Sequence, residues 1–114
     1  MASNTPENKV KAWVKKLLDH YIHAGEPVTY FSVMPSPYTT RGVSDFVVII
    51  QGLCVCLEIK ARGRKPTDIQ AYFGKRVEEA GGEYIVVAGS DDETKKGLET
   101  KLRSILNCGG VDKC

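Results

Sequence analysis

Hydrophobic positions along this chain change spacing from segment to segment, and the spacing predicts the elements. Val10, Trp13, Val14, Leu17, Leu18 and Tyr21 recur at helical intervals, which predicts one amphipathic helix. Thr5-Pro6 gives it an N-cap and a first-turn proline, and Gly25 marks its end. Residues 28–34, between Pro27 and Pro35, predict a first strand. Residues 45–50 and 53–60 are almost continuously apolar and flank Gln51-Gly52, which predicts two strands joined by a tight turn. Thr67-x-x-Gln70 is a capping-box pattern that opens a helix reaching about Ala80, with Ile69, Phe73 and Val77 as its buried stripe. Gly81-Gly82 ends that helix, and residues 83–88 return as a strand. Ser90-x-x-Glu93 is a second capping-box pattern, opening a last helix that buries Leu98, Leu102, Ile105 and Leu106.

The predicted order is α-β-β-β-α-β-α. A strand, helix and strand of this length favour a parallel pairing of 53–60 with 83–88 through a right-handed crossover. One face of the central hairpin carries Phe46, Val48, Ile50, Leu53, Val55, Leu57 and Ile59, and the other carries Val47, Ile49, Cys54 and Cys56. Both faces are apolar, so both are expected to be covered. The expected fold is α/β, a mixed central β-sheet flanked by helices on both faces. Residues 1–114 read as a single domain, with 1–5 and 107–114 as flexible ends.

The register implied by the turn carries the chemistry. If Ile50 pairs with Leu53, then Asp45 falls opposite Glu58, and Lys60 points to the same face. Facing carboxylates repel. A shared proton, Lys60, or a divalent cation between them would offset the repulsion. Mg²⁺ suits such a donor set, because it takes one or two carboxylates and keeps waters and phosphate oxygens around it. Two carboxylates, a lysine and a cation fit metal-assisted hydrolysis of a phosphodiester.

Asp45 followed by Glu58-Ile59-Lys60 resembles the PD-(D/E)xK nuclease superfamily, whose core is the restriction-endonuclease-like sheet. The longer set is Gly42-Val43-Ser44-Asp45, Leu57-Glu58-Ile59-Lys60, Gln70, Gly81-Gly82 and Tyr84-Ile85-Val86-Val87. It resembles the VRR-NUC domain, the virus-type replication-repair nuclease, in its stand-alone phage form, over roughly residues 40–88. Ser44 stands where that family usually has Pro, a position that is not a ligand. The resemblance implies a Mg²⁺-dependent DNA endonuclease, with Mn²⁺ as a substitute. Asp45, Glu58 and the main-chain carbonyl of Ile59 would hold the metal, and Lys60 and Gln70 would act beside it. Glu7 on the first helix is a candidate third acid; as a bland alternative it is a carboxylate favoured by the helix dipole. Gln70 is likewise either a capping residue or a site residue, or both. Branched DNA such as four-way junctions is the implied substrate, and a homodimer would suit paired cuts. The alternative is a nuclease-like module that binds DNA or protein without cutting.

Composition alters this picture only locally. The chain has 114 residues and a formal net charge of +2, which does not by itself announce nucleic acid. The positive charge that matters is Arg41, in the loop after the first strand, and Arg62, Arg64 and Lys65, directly after Lys60; these are the candidate DNA contacts. Lys11, Lys15 and Lys16 read as a solvated helix face, and His20 and His23 as surface residues. Cys54, Cys56, Cys108 and Cys114 show neither a CxxC pair nor a clustered His, which argues against zinc. Cys54 and Cys56 read as small buried hydrophobes in a reducing, intracellular setting, the bacterial cytoplasm if the chain is phage-encoded. No signal peptide or membrane span is expected, and no small-molecule organic cofactor is implied.

Overall fold

A computed structural model describes residues 5–34 and 36–108. The elements are α1 (Pro6–His23), β1 (Val28–Ser32), β2 (Phe46–Ile50), β3 (Leu53–Lys60), α2 (Asp68–Glu79), β4 (Glu83–Ala88) and α3 (Asp92–Asn107). The strands form one four-stranded sheet in the order β1-β2-β3-β4. β1, β2 and β3 run antiparallel, and β4 lies parallel to β3, as the crossover length predicts. β1 is shorter than its apolar run suggested. Beyond Ser32 only one further bond continues the pairing, from Val33 N–H to the Asp45 carbonyl at 2.9 Å.

The hairpin register is the predicted one: Ile50 pairs with Leu53, Ile49 with Cys54 and Phe46 with Leu57. Gln51 and Gly52 both take positive φ, 50° and 89°, as a two-residue primed turn requires. A glutamine tolerates that position here because its side-chain amide donates to the Leu106 carbonyl at 2.9 Å and ties the turn to α3. Local turn preference alone would have chosen Asn or Asp.

The core lies between one sheet face and the pair α1 and α3. Val10, Val14 and Leu18 from α1, and Leu98, Leu102 and Leu106 from α3, close over Phe46, Val48, Val55, Leu57, Ile59, Ile85 and Val87. Thr5 caps α1 by accepting from Asn8 N–H at 3.2 Å. Trp13 donates to the Gly89 carbonyl at 3.1 Å, which fixes α1 against the end of β4. On α3 the cap is Asp91, which accepts from Thr94 N–H, and not the predicted Ser90. An aspartate carboxylate is the stronger acceptor and takes the position one residue later.

The opposite face carries a helix, as expected, but its cover is partial. Among the described residues it is covered by α2, which lies against β4, with Gly74 as the buried contact. Ile69 is 42% exposed, and Phe73 and Val77 are only half-buried. α2 is too short and too far to one side to reach β1 and β2, so Phe31 and Ile49 remain 56% and 41% exposed. Cys54 is exposed for the same reason, while Cys56 is buried beneath the helix side of the sheet. Burial, with Cys54 adding to it, pushes the Cys56 thiol up to about 11, so it stays an unreactive thiol. Cys108 is disulfide-bonded, so the cysteines lend no support to the expected reducing setting. Of the ends expected to be flexible, 1–5 and 107–114, Thr5 caps α1 and Asn107 and Cys108 form the end and C-cap of α3, while 1–4 and 109–114 lie outside the described residues. Among the described residues no helix is long and apolar enough to cross a membrane.

Two helix glycines separate packing from propensity. A Cβ on Gly74 would meet the Tyr84 ring at 2.5 Å, whereas a Cβ on Gly97 would meet nothing within 4 Å. Gly74→Ala should destabilise the domain by about 1–3 kcal/mol through overpacking. Gly97→Ala should stabilise it by about 0.5–1 kcal/mol through helix propensity. Urea unfolding of both variants checks the opposite signs.

Candidate active site

The register that pairs Phe46 with Leu57 brings Asp45, one residue earlier, beside Glu58 at the end of β3. Asp45 is locked by its Oδ2, which accepts from Ile59 N–H at 2.8 Å. Glu58 is only 2% exposed, and its Oε1 is buried without a hydrogen-bond partner. Its other oxygen, Oε2, lies 4.0 Å from Lys60 Nζ. Burial first, then the charge of Asp45 and a side-chain hydrogen bond with it, pushes the Glu58 carboxyl up to about 8; Lys60 opposes the shift and Glu7 adds to it. A buried carboxylate beside a second carboxylate, with one oxygen unpaired, is a site built for a proton or a cation.

Glu7 sits on the first turn of α1 near this pair, but it does not complete a three-acid cluster. Lys11, one helical turn on, lies 3.7 Å from Glu7 Oε2 and 3.4 Å from Asp45 Oδ1. Lys11 therefore belongs to the site and not to the solvated face expected for it. Helical periodicity could not show this, because the contact depends on how α1 crosses the end of the sheet. Among the described residues no group of three His, Cys, Asp or Glu side chains could hold a metal ion. The donors that do fit one are the hard oxygens of Asp45 and Glu58, with the unpartnered Glu58 Oε1 foremost; a set of two carboxylates completed by water suits Mg²⁺.

Gln70 performs the capping role in full: its Oε1 accepts from Thr67 N–H at 2.9 Å, and the Thr67 hydroxyl accepts from Gln70 N–H at 3.3 Å. It also lines a pocket of about 370 Å³ together with Arg41, Ser44 and Asp45, so the cap places it beside Asp45. A second, open cavity of about 830 Å³ is lined by Glu7, Lys60, Arg62, Arg64 and Lys65. The basic residues are exposed at both rims. Tyr38, in the same loop as Arg41, is 97% exposed. His20 and His23 are exposed, as expected.

Sequence reasoning passed over Tyr84. Its hydroxyl is buried without a partner, and burial, then the charges of Glu58 and Asp45, push its pKa up to about 12. The signal in the sequence was Gly74, a mid-helix glycine whose missing Cβ makes room for the Tyr84 ring. Ser44 is also fully buried, immediately before Asp45, with its hydroxyl beside the Cys56 thiol.

No family model matches the chain, and no curated protein matches it. Among solved structures, one described as a VRR_NUC domain aligns over 83% of this chain and 96% of that one, with a TM-score of 0.63 and 20% sequence identity. The chain has the fold of a VRR_NUC domain. That fold is the restriction-endonuclease-like mixed sheet which the resemblance over residues 40–88 implied. At this identity the likeness concerns the fold, and the chemistry rests on the residues just described.

The raised Glu58 pKa has a consequence for the metal-free protein. A carboxyl titrating at about 8 when folded and 4.5 when unfolded holds its proton in the native state and loses it in the unfolded one. Its contribution to stability is fully present below the unfolded value and is lost as pH rises through the folded one. Unfolding in chelator between about pH 5 and pH 9 should show falling stability with rising pH, and Glu58→Gln should flatten that fall.

Proposed function

We propose that this domain is a Mg²⁺-dependent DNA endonuclease that hydrolyses phosphodiester bonds. The observation that carries the reading is the convergence of Asp45, buried Glu58 and Lys60 at one end of the hairpin, with Glu58 Oε1 left unpartnered. A carboxylate pair kept where burial opposes its charge has no structural purpose that a neutral pair would not serve better.

Asp45 and Glu58 would hold the cation, joined by the Ile59 main-chain carbonyl. Bound there, Mg²⁺ would supply Lewis-acid polarisation of the phosphate and a more acidic attacking water. The Asp45 carboxylate keeps its orientation through the Ile59 N–H, so the donor set is fixed before substrate arrives. Lys60, on the same face as Glu58, orients the attacking water and balances the charge that develops on the phosphate. Gln70 lies at the mouth beside Asp45 and positions substrate or water. Arg41 on one rim and Arg62, Arg64 and Lys65 on the other grip flanking phosphates. Branched DNA, including four-way junctions, is the substrate class we assign. A homodimer would present two such sites for paired cuts, and the uncovered sheet face around Phe31 and Ile49 offers apolar surface to it.

The test is a panel of single strand, duplex, flap and four-way junction, incubated with Mg²⁺ or chelator. Wild type should cut in Mg²⁺ alone. Glu58→Ala should lose roughly 100-fold or more of the activity while holding DNA within a few-fold. Binding to every substrate without any product, with Mn²⁺ also tried, would replace the enzyme with a DNA-binding module of the same fold.

Arg62→Ala combined with Arg64→Ala should weaken DNA binding and lower the slope of log affinity against log salt by about 2, one for each lost phosphate contact. Fluorescence anisotropy across a salt series measures it. An unchanged slope would make that loop a solvated turn.

A further inference from the structure

Lys11 is the feature of the site that neither the metal nor the acids explain. Its ammonium lies between Asp45 Oδ1, at 3.4 Å, and Glu7 Oε2, at 3.7 Å. The reach is set by the helix: Lys11 follows Glu7 by one turn, and α1 packs on β3. Asp45 Oδ2 already accepts from the Ile59 N–H, so Oδ1 is the more open oxygen for a cation, and it is the one Lys11 approaches. The Lys11 side chain is 37% exposed, so it can leave without unfolding anything.

We propose that Lys11 is a tethered internal cation that competes with the divalent metal for Asp45 Oδ1 and passes to a DNA phosphate when the metal enters. This rests on the nuclease reading of the same site and deepens it. In the metal-free protein Glu7, Asp45 and Glu58 face Lys11 and Lys60, so the acids are partly neutralised from within. Metal entry adds charge at Asp45 and expels the ammonium. An arriving phosphate gives that ammonium a new partner. Metal and DNA then favour each other's binding through one side chain, and the coupling is reciprocal.

Calorimetry of Mg²⁺ binding to the full chain without DNA tests the competition. An exposed ion pair of this kind is worth at most a few-fold in an equilibrium, so Lys11→Met should bind Mg²⁺ roughly two- to fivefold more tightly than wild type. Lys15→Met, one turn further along α1 on an exposed position, should leave the affinity unchanged. That control separates displacement at Asp45 from a general loss of positive charge. DNA affinity gives the second readout. With Ca²⁺ present, Lys11→Met should lower the salt slope by about 1, and in chelator it should leave the slope unchanged. Equal Mg²⁺ affinity in Lys11→Met and wild type, or an equal gain in Lys15→Met, would overturn the proposal. Wild type and Glu58→Ala that bind Mg²⁺ identically would overturn the nuclease reading itself, which is a different outcome. Circular dichroism of each variant confirms that it is folded.

Discussion

The site depends on one bond, from the Ile59 N–H to Asp45 Oδ2. Asp45 stands just outside β2, where the regular pairing with β3 ends. Without that bond its side chain would be free to turn to solvent, away from Glu58. With it, the last rung of the hairpin is completed by a side chain, and a carboxylate is fixed beside another carboxylate. Repulsion between them is set against a charge-assisted hydrogen bond, and the bond decides where Asp45 points.

Glu58 is held in place by a different means. Its backbone belongs to the middle of the sheet, paired to β4 through Val86, so the strand cannot retreat. The carboxyl is therefore buried whether or not it is ionised. Burial and the neighbouring Asp45 keep Glu58 protonatable near neutral pH, and Lys60 at 4.0 Å offsets only part of that shift. A cation would supply the rest. Tyr84 and Ser44 bring buried hydroxyls to the same region, so the floor of the site is polar.

The central hairpin was legible to the residue. Gln51-Gly52 set the turn, the turn set the register, and the register placed Asp45 opposite Glu58. The parallel β3–β4 pairing followed from crossover length. Coverage of the second sheet face was not legible, because alternation shows that a face is apolar but not how far a neighbouring helix extends across it. Ile69 carries the point: it sits at a helical spacing that reads as buried, yet α2 lies over β4 and leaves it 42% exposed. Lys11 was misread for a related reason. It follows Glu7 at helical spacing, which reads as a surface pair, and only the docking of α1 on the sheet brings both to Asp45. Tyr84 was hidden inside a strand pattern, where an aromatic residue is ordinary.

The charge distribution closes the argument. Net charge is only +2, and three acids, Glu7, Asp45 and Glu58, stand together where the chemistry would occur. Arg41 shares a pocket with Asp45, and Arg62, Arg64 and Lys65 share one with Glu7 and Lys60. A polyanion attracted by those rims meets Asp45, Glu58 and Glu7 at the centre, and like charge repels it there. The two lysines offset part of that field, and a divalent cation would reverse it. Basic rims around an acidic centre thus favour DNA only when the centre is neutralised. A binding module would gain affinity by losing the acids, whereas an enzyme that cuts between the rims needs them.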